Sequence, residues 1–229
     1  MSEESRNSKA EGSKPGRIRA VVFDLDGLMF NTEDIFNEVG RTVLARRGKE
    51  MTRELLSQMM GRRAPEALGL MIEFHALRDT VADLIDETRV LFAELAGERL
   101  APMPGLYALL EHIETRGLAK GVATSSGRRY LEEILNRFDL LARFHMTLAA
   151  EDVTHGKPHP EIYLTAAQKL GIAPSEMLVL EDSHAGTTAA VSASAVVISV
   201  PNVHSREHDF SHAAYVASRL DDPYVLQLL

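Results

Sequence analysis

Two aspartates one residue apart, Asp24 and Asp26, close the first strongly apolar run of the chain, in VVFDLDGLMFNTE. Carboxylates held that close repel, so the pair invites a divalent cation, a shared proton, or both. Taken alone, the D-x-D spacing equally fits two solvated loop side chains. Three further segments narrow the reading. Thr124, Ser125 and Ser126 follow an apolar stretch and precede Gly127. Lys157 stands in the frame Gly156-Lys157-Pro158-His159-Pro160, and Glu181-Asp182 ends the apolar run Met177 to Leu180. In chain order these are a carboxylate able to attack, a set of hydroxyls, an ammonium and an acidic pair. Together they could transfer an anionic group and hold a hard cation.

The elements that carry them can be read from the pattern. Ala20-Val21-Val22-Phe23 is short and β-branched, and Gly27 soon follows, which predicts a buried strand breaking into a loop. Asp24 then projects from the carboxyl end of a parallel sheet, where open α/β folds bind ligands. Strand alternation sends Leu25 one way and both aspartates the other. From Glu33 to about Gly97 the apolar period is helical throughout, with Val39, Val43 and Leu44 on one face and Leu84, Ile85, Leu91, Phe92 and Leu95 continuing it. Met59, Met60 and Met71 sit at helical spacing and read as core of that segment. After Ala101-Pro102-Met103-Pro104-Gly105, helices are expected at 106–116, 129–137, 160–170 and 186–193, and strands at 118–124, 144–149, 176–181 and 196–200. Such alternation gives a parallel sheet with right-handed crossovers. The fold class is therefore α/β, with an all-helical insert separating the first strand from the rest.

Composition sets outer bounds. A chain of 229 residues, 45% hydrophobic, can bury a substantial core. A net charge of −8 argues against a nucleic-acid partner, which would need a basic face. A local anion site stays compatible with that sign, because lysine, cation and backbone N–H groups can override it. The absence of cysteine excludes disulfides and thiolate zinc sites. No apolar stretch is long enough for a membrane helix. The first sixteen residues are polar, without the apolar centre of a signal peptide, and read as a disordered tail on a cytoplasmic protein, monomeric or weakly dimeric.

The four segments FDLDG, the hydroxyls after an apolar strand, GKPHPEIY and LEDSHAG resemble, in order and local sequence, the haloacid dehalogenase superfamily. The subgroup they resemble contains β-phosphoglucomutase and phosphoglycolate phosphatase. The resemblance implies a Rossmann-like core over residues 17–32 and 101–229, with an inserted helical cap domain over 33–100. It implies a Mg²⁺-dependent phosphatase acting on a small phosphorylated metabolite, such as a sugar phosphate, through an aspartyl-phosphate. Asp24 is then the nucleophile and Asp26 the general acid and base, with a pKa raised by neighbouring carboxylates. Thr124 and Lys157 hold the phosphoryl oxygens; Ser125, Ser126 and Arg62 contact substrate. Asp24, the Asp26 carbonyl, Asp182 and Glu181 surround the Mg²⁺. Ser126 fits N-capping of the next helix equally well, Arg62 and Arg63 could both be solvated, and Arg128 is a further substrate candidate. His155, His159 and His184 read as bystanders, lacking a second ligand at metal-binding spacing.

Two positions depart from the resembled pattern. Asn31 replaces a usual aspartate at the cap hinge, and Ser192-Ala193-Ser194-Ala195 replaces a turn normally built with glycine and methionine. A phosphosugar mutase is the nearest alternative, but β-phosphoglucomutase uses a histidine where this chain has Phe36. A receiver-type signalling module would place its acidic pair before the phosphorylated aspartate and would lack the helical insert.

Overall fold

The central strand, β1 (Ala20–Phe23), is buried along its whole length, as expected of a strand covered on both faces by helices. The computed structural model describes residues 17–97 and 99–229, and the tail expected over residues 1–16 lies outside them. Among the described residues six strands form one parallel sheet, and β1 lies within it. The others are β2 (Ala119–Ala123), β3 (Met146–Leu148), β4 (Met177–Glu181), β5 (Val196–Ser199) and β6 (Tyr215–Val216), in the order β3-β2-β1-β4-β5-β6. The chain leaves β1 for α1 (Thr32–Ala45), α2 (Arg53–Met59), α3 (Ala64–His75) and α4 (Val81–Ala96) before any second strand forms. Then α5 (Leu106–Thr115), α6 (Arg128–Arg137), α7 (Glu161–Leu170) and α8 (His184–Ser192) alternate with the strands, and α9 (Pro223–Leu228) follows β6.

The four inserted helices have their own packing logic. Ile35, Val39, Val43 and Leu44 of α1 are buried together with Leu84 and Leu91 of α4. Thr80 caps α4 through a capping box with Asp83. Arg47, just beyond α1, bonds Asp79 and Glu87 at 2.6 and 2.7 Å, fixing the end of α1 against α4. Met71 is buried as anticipated and Met60 nearly so.

The two connections to the insert are tied together by Asn31, the residue that departs from the resembled pattern. Asn31 Nδ2 donates to Arg99 O at 3.0 Å, and Asn31 Oδ1 accepts from Ala101 N at 2.7 Å. One amide thus clasps the outgoing and returning strands of the insert, which an aspartate, having no donor, could not do. At the other departure, Ser194 follows the C-cap of α8 with φ 64°, closing a Schellman turn in which Ala195 N bonds Ala190 O. The turn keeps its geometry with serine in the left-handed region. No helix among the described residues is long and apolar enough to cross a membrane.

Candidate active site

Register brings the acidic groups to one level. Phe23 lies opposite both Val122 of β2 and Leu180 of β4, so the next residues outward are Asp24, Ala123 and Glu181. Asp24 N continues the ladder to Leu180 O, and the residue is only 7% exposed. Lys157 is equally buried and spends its three donors within the site: on Asp24 Oδ1 at 2.5 Å, Glu181 Oε1 at 2.6 Å and Ala123 O at 3.1 Å. Glu181 Oε1 also accepts from the Tyr163 hydroxyl at 2.5 Å, and Oε2 accepts from Ser183 Oγ at 3.1 Å. Sequence reading placed Glu181 beside the cation. Here both its oxygens take protein donors, and it holds the lysine. Gly186 is what lets α8 pass so close, since a Cβ there would lie 1.8 Å from Glu181 Oε1.

Asp26 is presented by a compact loop in which Met29 N bonds Leu25 O and Gly27 N bonds Phe30 O. Gly27 has φ 76°, and a Cβ would meet Asp182 Oδ2 at 2.4 Å, so only glycine fits. The Asp26 carboxylate accepts three hydroxyls: Ser126 at 2.6 Å and Thr124 at 3.2 Å on Oδ2, and Tyr130 at 2.8 Å on Oδ1. Ser126 therefore does not cap α6. Gly127 is the N-cap, and the Glu151 carboxylate takes the Arg128 N–H. The Arg128 side chain pairs with Thr147 and Asp152 instead. Thr124 Oγ1 additionally accepts the Ser126 N–H at 3.0 Å.

Acceptor atoms of Asp24, Glu181 and Asp182 lie within 4.8 Å of one another, all three residues being buried. Burial pushes Asp24 well above the usual carboxylate range; Lys157 opposes this, and Glu181 and Asp26 reinforce it. Burial likewise raises Asp182, helped by Asp24, Glu181 and Glu33. Lys157 is disfavoured by burial, yet Asp24 and Glu181 more than compensate and hold its charge above the ordinary lysine range. One buried cation among these carboxylates leaves negative charge uncompensated, and the donors are hard oxygens without sulfur or imidazole. That set fits Mg²⁺. With Glu181 engaged, Asp24 and Asp182 have the oxygens best suited to it. Asn202, just beyond β5, donates to Asp182 Oδ2 at 2.8 Å and Gly27 O at 3.2 Å, bridging the first and last motifs.

The helical insert touches this centre through the loop between α2 and α3. Ser125 Oγ donates to Gly61 O at 3.0 Å. Arg63, read from sequence as a candidate for solvent, reaches the other side, donating to Val153 O at 2.8 Å and Thr154 O at 3.1 Å. Arg62 lines the cavity above the carboxylates, and its Nε donates to Gln58 O. Glu33 lines the same cavity; burial, with Asp26 and Asp34, pushes it up to about 8. Phe36 packs on Phe92 at 4.6 Å and Tyr130 at 5.8 Å, forming an aromatic group behind Asp26. One histidine expectation needs correction. Folding brings His155 and His159 beside Glu161, with His155 Nδ1 2.8 Å and His159 Nδ1 3.9 Å from its Oε2. The turn into α7 does this, which linear spacing did not reveal. His184 bonds Asp209 O instead.

Sequence reading missed Tyr130, Tyr163 and Asn202. Tyr163 was visible as the final residue of GKPHPEIY; Tyr130 and Asn202 carry no local signal beyond lying near strand ends.

Comparison with known proteins agrees with this geometry. A phosphorylated carbohydrates phosphatase of Thermotoga maritima is 33% identical over 180 residues, covering 77% of this chain and 82% of that one. Hexitol phosphatase B of Escherichia coli is 30% identical, covering 82% and 86%. The crystal structure of CbbY from Rhodobacter sphaeroides with phosphate superposes with a TM-score of 0.78 at 25% identity, covering 89% of this chain and 95% of CbbY. The family of haloacid dehalogenase-like hydrolases matches residues 21–200, which span Asp24, Thr124, Lys157 and Asp182, and the chain belongs to that family.

Proposed function

We propose that the protein is a Mg²⁺-dependent phosphatase that hydrolyses a small phosphorylated metabolite through an aspartyl-phosphate on Asp24. The observation that carries this reading is the buried contact of 2.5 Å between Lys157 and Asp24, with Asp182 close by and Asp26 held separately by three hydroxyls. A carboxylate beside an ammonium, at the carboxyl edge of a sheet, can attack an anion that it would otherwise repel.

In the first half-reaction an Asp24 oxygen bonds to phosphorus while the ester P–O bond breaks. Asp26 gives the departing alkoxide its proton. In the second, water attacks the same phosphorus, Asp26 takes the water's proton, and the bond to Asp24 breaks. Lys157 lowers the repulsion between Asp24 and the incoming dianion, and Glu181 and Tyr163 keep Lys157 in place. The hydroxyls of Thr124, Ser125 and Ser126 orient phosphoryl oxygens and the Asp26 carboxylate. Asp24, Asp182 and the Asp26 backbone carbonyl would hold Mg²⁺, which would supply positive charge for the phosphoryl group. Residues 33–100 act as the cap, hinged where Asn31 clasps the two connections, and exclude water over the core formed by 17–32 and 101–229.

Phe36 disfavours a mutase. Its ring is committed to the cluster with Phe92 and Tyr130 and has no proton to exchange with a sugar hydroxyl. Asp24→Asn tests the phosphatase reading. Turnover should fall by at least about three orders of magnitude, with circular dichroism unchanged, because residues acting as a unit are not individually dispensable. A variant keeping a tenth of the activity contradicts the covalent route.

A further inference from the structure

We propose that His155, His159 and Glu161 form a second cation site, one that takes a borderline divalent metal, Zn²⁺ or its first-row neighbours, in preference to Mg²⁺. The site goes beyond the phosphatase reading and does not depend on it.

The three residues surround the turn into α7, and a ligand atom of each lies within 4.8 Å of the other two. Glu161 Oε2 stands 2.8 Å from His155 Nδ1 and 3.9 Å from His159 Nδ1. Ligand atoms held around a tetrahedral zinc lie about 3.4 Å apart, so the two distances bracket what an ion needs. The two imidazole rings lie together, with centroids 4.5 Å apart and a tilt of 35°. Their side chains are 61% and 50% exposed, so an ion can enter without any opening of the fold. Water would complete the coordination, as at other sites with three protein ligands.

Glu161 is held ready for this role. Its Oε1 accepts the Thr154 N–H at 2.8 Å, and its Oε2 accepts the His155 N–H at 2.9 Å. These backbone donors, with the His155 ring, pull its carboxyl down to about 2, so it is ionised at any working pH. His155 Nδ1 now donates to Glu161 Oε2. With an ion between them the ring proton resides on Nε2, and the Nδ1 lone pair becomes a ligand. His159 Nδ1 needs no such change, because it already accepts the Glu161 N–H, across 3.3 Å.

Ligand type sorts the two cations. Asp24 and Asp182 offer carboxylate oxygen, which suits Mg²⁺, whereas two imidazoles with one carboxylate suit Zn²⁺, Ni²⁺ or Cu²⁺. The second site also bears on the first. His155 and His159 stand two residues to either side of Lys157, and Arg63 of the insert holds the carbonyls of Val153 and Thr154 just before them. An ion bound at 155, 159 and 161 would close the turn that carries Lys157 into a ring and slow its opening.

The test titrates Zn²⁺ calorimetrically into the full chain in excess Mg²⁺, which occupies the carboxylate centre, at about pH 7.5, where imidazole is mostly neutral. One equivalent should bind. His155→Gln and His159→Gln should each weaken it by about tenfold or more, with circular dichroism unchanged because both side chains are exposed. In the wild type, imidazole resonances of His155 and His159 should shift first among the nine histidines, and amides between Thr154 and Glu161 should exchange more slowly. Absence of saturable binding overturns the site. So does Zn²⁺ that binds both variants as tightly as the wild type, or that first shifts His184, His204 or His208. Each of these outcomes leaves the phosphatase reading standing.

Discussion

At the scale of single residues, the site divides charge between two carboxylates that differ in their partners. Asp24 faces an ammonium, and Asp26 faces three hydroxyls. The second arrangement pairs a carboxyl with neutral donors and no cation, which suits the proton-transfer role proposed for Asp26. Asp26→Ala should slow alkyl phosphates by roughly 10²–10⁴-fold and affect p-nitrophenyl phosphate far less, because a good leaving group needs little acid assistance. Equal losses on both esters in steady-state assays remove Asp26 from the acid role. The residues that converge at the site were legible in the sequence because each ends a short apolar strand or opens a helix, where a polar side chain has few structural reasons to be. Their supports were not. Tyr130 reaches Asp26 from a helix position 104 residues away, and nothing local to α6 marks a tyrosine whose hydroxyl bonds a loop carboxylate. Glu181, expected beside the cation, also holds Lys157 and Tyr163, contacts fixed by sheet register and by α7 that a linear motif does not contain.

At the scale of elements, strands and helices after Pro104 were legible to within a residue or two, because their apolar runs alternate with clear breaks. β6 and α9, both after the last expected strand, were missed; two and six residues are too few to show a clear period. Boundaries shifted where a side chain decided them, as at α8, which starts early because Ser183 caps it by accepting the Gly186 N–H at 3.1 Å. The turn that ends α8 holds a testable cost. Ser194 is exposed at φ 64°, a conformation that costs an L-residue roughly 1–2 kcal/mol, and glycine recovers that less the entropy it adds to the unfolded chain. Ser194→Gly should stabilise the protein by about 0.5–1 kcal/mol in urea unfolding, without altering kcat. A destabilised variant would show that the serine side chain contributes more than the backbone conformation costs.

At the scale of the whole molecule, the sheet supplies the reacting groups and the inserted helices supply the chamber above them. The two parts meet through several polar contacts, among them Asp34 and Asn37 with His204, Ser125 with Gly61, and Arg63 with the carbonyls of Val153 and Thr154. Residues 153–156 lead directly to Lys157, so Arg63 links cap position to the lysine that screens Asp24. The sequence indicated a cap but not this bridge, since guanidinium partners 90 residues distant have no local signature. Arg63→Ala should lower kcat/KM for an alkyl phosphate by about tenfold and leave acetyl phosphate, which needs little from the cap, within about threefold. It should also speed amide exchange in both α2–α3 and residues 153–156. Unchanged exchange in the core loop would sever the proposed link. The central claim, two successive displacements at phosphorus by way of Asp24, is tested most directly by stereochemistry. Each in-line displacement inverts the phosphoryl group. A thiophosphate ester made chiral at phosphorus with two oxygen isotopes, hydrolysed by the wild-type enzyme in water of the third isotope, should give chiral inorganic thiophosphate with net retention of configuration. Net inversion would mean that water attacks the substrate in one step and that Asp24 is never phosphorylated.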